Sequence, residues 1–87
     1  ETILTRNKLR EIIKESNLDS EDIKTEIFFN YQQNLIETFF YNKQYPYKPC
    51  SIILFPVYSS GEAERKMKSL IRNLEAESIE YTIKKND

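Results

Sequence analysis

Residues 23–41, IKTEIFFNYQQNLIETFFY, decide how this chain folds. The stretch holds four of the five phenylalanines and two of the six tyrosines. Read at helical spacing, Ile23, Ile27, Tyr31, Leu35 and Phe39 recur every four residues and make one slowly drifting apolar stripe, widened by Phe28. Phe29, Ile36 and Phe40 fall on the far side, and only Asn30, Gln33, Asn34 and Glu37 mark a wet strip. A helix that is apolar around most of its girth is covered on two sides. Read instead as strands, TEIFFNY and LIETFFY flank Gln32-Gln33-Asn34 as a hairpin, and Phe, Tyr, Ile and Thr favour that state.

The upstream sequence tips the reading toward helix. Thr5 has the form of an N-cap, with Leu4 and Leu9 placed as a hydrophobic staple, for a helix from Arg6 to Ser16 that faces inward with Leu9, Ile12 and Ile13. Residues 2–4 fit a short strand or a frayed end. Asn17 suits the left-handed position after a helix. Leu18 and Asp19 then repeat the start signal, with Ile23 completing a second staple and Glu21 and Asp22 suiting the helix dipole. Two start signals of one form predict a helical hairpin. The segment LREIIKESNLDSEDIKTEI resembles the first helix and turn of bacterial repressor-type helix-turn-helix domains, through Leu9, Ile12, Leu18, Glu21, Ile23 and Ile27. Lys24 and Phe28 replace the small residue and glycine-type turn of that pattern, so it is read as a shared hairpin signature.

Downstream, Pro46 and Pro49 keep residues 42–49, NKQYPYKP, out of regular helix. Residues 51–58, SIILFPVY, read as a strand buried on both faces, interrupted at Pro56. Ser59 and Glu62 are spaced as a capping box, and Ala63, Met67, Leu70, Ile71 and Leu74 give an amphipathic helix. Residues 79–83, IEYTI, alternate as a last strand. Strand, helix and strand at this spacing predict a right-handed βαβ unit with parallel strands. The expected fold is α+β over residues 1–87 as one small domain, an N-terminal helical hairpin packed on a C-terminal β-α-β unit. The alternative is αβββαβ, with residues 25–41 as a β-hairpin.

Composition narrows function. Charged residues make up 31% and hydrophobic ones 39%, as in ordinary folded domains, and the net charge of −1 gives no overall attraction to nucleic acid or an anionic membrane. No apolar run is long enough to span a membrane, and no signal peptide is expected. The single cysteine, Cys50, fits an intracellular setting, cytoplasmic or nuclear. With no histidine the commonest general base and metal ligand are missing, and one glycine cannot build a phosphate cradle. No metal, cofactor or catalytic residue is expected. The alternative order is similar to that of nuclease cores, which need a carboxylate and a nearby lysine on successive strands; Glu37-Thr38-Phe39 puts Phe where the lysine belongs.

What is left is a non-catalytic module that binds a protein partner or itself. The candidate contacts are Phe29, Ile36 and Phe40, as an exposed aromatic ridge, with Tyr45 and Tyr47 on the proline-stiffened connector. The alternative is a small nucleic-acid-binding domain that uses the basic stripe Arg65, Lys66, Lys68 and Arg72.

Overall fold

The computed structural model describes residues 6–85. Alternation, not helical spacing, governs residues 23–42. Ile23, Thr25 and Ile27 point to one side of a strand, as do Ile36, Thr38 and Phe40 on the next, and all six are fully buried. The chain runs through α1 (Arg6–Ser16), a 3₁₀ turn (Ser20–Asp22), β1 (Ile23–Asn30), β2 (Leu35–Asn42), β3 (Ser51–Pro56), α2 (Ser60–Ala76) and β4 (Glu80–Lys85).

The predicted helical hairpin is therefore absent. Asn17 does take the left-handed conformation, with φ at 59°. Asp19, however, makes no side-chain cap, and the 3₁₀ turn delivers the chain straight into β1. The likeness to a helix-turn-helix ends at this turn. Thr5 as a cap and residues 2–4 as a strand lie outside the described residues. Between β1 and β2, the Asn30 side chain accepts from the amides of Gln32 and Gln33 at 3.1 and 3.2 Å, and Asn34 is left-handed at φ 54°. These two asparagines close a tight loop where a helix would only have kinked.

The four strands form one mixed sheet in the order β3-β2-β1-β4. β1 is antiparallel to β2 and β2 to β3, whereas β4 lies parallel to β1. β3 and β4 thus share a direction, as expected of a βαβ unit, but they occupy opposite edges with two strands between them. The expected two-strand unit is corrected to a wide crossover, and β1 and β2 complete the sheet.

Both helices lie on one face. Leu9 and Ile12 of α1 and Ala63, Leu70 and Leu74 of α2 join Ile23, Ile27, Ile36, Phe40 and Phe55 in a single core. α2 starts at a cap of the expected kind, with the Glu62 amide donating to Ser59 Oγ at 3.1 Å and the Tyr58 amide donating to the Glu62 carboxylate at 2.6 Å. The helices are tied end to end through Glu77, whose carboxylate lies 3.0 Å from Arg6 and 3.3 Å from Arg10. Tyr81 of β4 donates its hydroxyl to Glu75 of α2 at 3.1 Å, which raises the phenol above its ordinary pKa. No helix among the described residues is long and apolar enough to cross a membrane.

Candidate functional site

Because both helices cover the same face, the other face of the sheet is left open among the described residues. Strand periodicity fixes what it displays: Lys24, Glu26, Phe28 and Asn30 from β1, Leu35, Glu37, Phe39 and Tyr41 from β2, Ile52 and Leu54 from β3, and Glu80, Thr82 and Lys84 from β4. The register sorts these by chemistry. Phe39 stands opposite Ile52, and Glu37 opposite Leu54. Phe28 lies between Glu37 and Lys84, and Glu26 between Phe39 and Thr82. The β3 side of the face is aliphatic and aromatic, and the β4 side is charged.

The charges are engaged with one another. Lys84 meets Glu26 at 3.0 Å and caps the Phe28 ring at 5.8 Å from its centroid. Asn30 donates to the Glu37 carboxylate at 3.3 Å. Lys43, reaching from the connector, donates to Glu80 at 3.0 Å, and this hydrogen bond, reinforced by the lysine's charge, holds the Glu80 carboxyl below its ordinary range. Phe28 and Phe39 pack edge to face at 5.5 Å and 88°. Beyond them Ile52 and Leu54 are 52% and 51% exposed. An antiparallel sheet facing water normally shows polar residues there.

The residues expected to form an exposed ridge lie on the opposite side. Ile36 and Phe40 are fully buried under the helices, and Phe29 is half-buried against the same core. Phe29 and Ile36 are cross-strand partners, and Phe40 shares their face, so the three are brought together as core. Their spacing of seven and four residues, read around a helix, sets them opposite the main stripe. Read across a turn, it sets them with the buried residues. Tyr45 and Tyr47 do stand exposed on the connector.

The basic stripe on α2 is divided. Lys66 turns inward and donates to the Pro56 carbonyl at 2.8 Å, with Glu62 at 3.6 Å. Lys68 pairs with Glu64 at 3.3 Å. Arg65 and Arg72 are exposed. The surface positions of Phe28, Leu35 and Phe39 escape a helical reading, and Ile52 and Leu54, expected in a strand buried on both faces, are instead half exposed because neither helix packs on their side. Their signal is nonetheless present in the sequence, because each is an odd number of positions from a core residue of its own strand.

Among the described residues, no group of three or more His, Cys, Asp or Glu is placed to hold a metal ion. The open face brings glutamates and lysines together as ion pairs. No protein-family model, characterised protein or solved structure matches the chain.

Proposed function

We propose that this chain is a non-catalytic interaction domain, and that a protein partner docks on the open face of its sheet. The observation that carries this reading is the apolar surface of half-exposed Ile52 and Leu54, continued by the partly buried Leu35 and Phe39, on the side of the sheet where no helix among the described residues packs. Uncovered apolar groups of this kind gain by leaving water, at about 25 cal/mol per Å² buried. The mutually paired charges on the β4 side would form a polar rim. The face balances three glutamates against two strand lysines and Lys43 from the connector, with no excess of positive charge for a polyphosphate backbone. The lone thiol of Cys50 suits an intracellular setting.

Nucleic-acid binding through Arg65, Lys66, Lys68 and Arg72 has less to stand on, since Lys66 and Lys68 are engaged by neighbouring groups. A photo-crosslinking residue placed at Phe39, and separately at Arg72, tests both readings in the native host. Protein adducts from position 39 and none from position 72 are expected. Nucleic-acid adducts from position 72 would transfer the function to the basic stripe. An absence of adducts at position 39 would overturn the open-face reading.

A further inference from the structure

The two edges of the sheet are built differently. β4 carries Glu80 and Lys84 along its length, and charge is the usual protection of an exposed edge. β3, Ser-Ile-Ile-Leu-Phe-Pro, carries none. Its hydrogen-bonding phase can be read from the ladder. The Val57 amide donates to the Asn34 carbonyl at 2.9 Å, so in the β2–β3 register the bonded pairs are Asn34–Val57, Ile36–Phe55, Thr38–Ile53 and Phe40–Ser51. The backbone groups of Ile52, Leu54 and Pro56 therefore point away from the sheet.

Pro56 has no amide hydrogen to offer, and its outward carbonyl is taken by Lys66 at 2.8 Å. At the other end the Cys50 amide is turned inward, donating to the Phe40 carbonyl at 2.7 Å. Both ends of the edge are closed. Between them Ile52 and Leu54 present two donors and two acceptors.

We infer that β3 pairs with β3 of a second copy of this chain, antiparallel and centred on Ile53. In that register Ile52 of each copy lies opposite Leu54 of the other, so the four outward groups are matched and Pro56 is not asked for a donor. A register centred on Leu54 would set Ile52 against Pro56, and one centred on Ile52 would set Leu54 against Cys50. The side chains agree with the Ile53 centre. Ile52 and Leu54 are apolar, half exposed and on the same face, so Ile52 of each copy packs against Leu54 of the other across the two-fold axis.

The flanking charges agree as well. Glu15 of α1 lies beside Cys50 and Ser51, in a hollow at the start of β3. Arg65 lies beside Glu62 and Lys66 in a hollow of α2, next to the Lys66 bond to Pro56 that closes the end of β3. The two-fold axis brings the first hollow of one copy against the second hollow of the other, twice. Glu62 and Lys66 offset each other, leaving Arg65 to face Glu15. The product is an eight-stranded sheet with all helices on one side and one continuous open face. This pairing goes beyond the docking of a partner on that face and stands without it.

Sedimentation of the purified chain alone tests the pairing, independently of any other partner. The wild type should sediment as a dimer. A chain with Ile52→Lys and Leu54→Lys, and another with Ile52→Glu and Leu54→Glu, should each be folded and monomeric, because like charges fall directly opposite and weaken association by about tenfold or more. Mixed, the two should form a heterodimer. A wild-type monomer, charged chains that still dimerise, or a mixture that stays monomeric would each overturn the inference. If a charged chain fails to fold, Leu54→Pro decides the same question. It removes an outward donor and leaves the β2 ladder whole, so a persisting dimer would refute the pairing.

Discussion

Phe39 and Phe40 are neighbours in sequence with opposite fates, and replacing each by alanine measures the strand register directly. Phe40 is fully buried beneath both helices. Truncating such a ring costs about 3–5 kcal/mol through lost transfer energy and the cavity left behind. Phe39 faces the open side, where its main contact is the Phe28 ring at 5.5 Å. Losing that edge-to-face pair, together with partial burial, costs about 1–2 kcal/mol. A domain of 87 residues has roughly 4–13 kcal/mol of stability to lose. Phe40→Ala should therefore leave a chain at the margin of folding, while Phe39→Ala remains native with a midpoint lower by roughly 4–15 °C. Equilibrium urea unfolding with a common m value is the assay. Equal losses, or a larger loss at Phe39, would mean that β2 is slipped by one residue and that its open face has been misassigned.

Three further outcomes follow from single contacts. Thr38 is fully buried, and its hydroxyl has no hydrogen-bond partner among the described residues, so Thr38→Val should stabilise the chain by up to about 1 kcal/mol in thermal unfolding; a loss of that size would show that the hydroxyl is satisfied. Glu77→Ala removes the acceptor shared by Arg6 and Arg10 and should speed amide exchange in α1 with little change in the strands; uniform faster exchange would show that α1 does not open separately. Glu80 has a folded-state pKa below its ordinary 4.5, so its pairing with Lys43 contributes stability above that pH and loses it as the pH falls. In an NMR titration Lys43→Ala should move the Glu80 midpoint upward, and an unmoved midpoint would rule out Lys43 as the cause of the shift.

The elements of the C-terminal half were legible because their signals do not compete, although the separation of β3 from β4 and the exposure of one face of β3 were not. Ser59 and Glu62 mark the start of α2, the apolar positions of that helix fit one period, and Pro56 ends β3. In residues 23–41 the signals did compete. A spacing of four residues is both a helical near-repeat and two full strand periods, so Ile23 and Ile27 fit either geometry. The acidic residues after Asp19, which suited a helix dipole, occupy a 3₁₀ turn. The deciding features were Thr25 and Thr38, β-branched residues buried in the sheet, and Asn30 and Asn34, which close the turn. Nor could the open face be read from composition. Its existence depends on both helices packing on the same side of the sheet, and no local signal in either helix names that side.

The parallel pairing of β1 with β4 also sets how the molecule responds to mechanical load. Tension entering through α1 reaches β1 at Ile23, whereas tension entering beyond β4 acts near Lys85, at the opposite end of the pair. The bonds between these strands are then sheared together, instead of being unzipped one after another as in a hairpin pulled from its two open ends. α1 rests on Leu9, Ile12 and the Glu77 contacts, so it should yield first. The chain behaves as a compliant element in series with a stiff clamp.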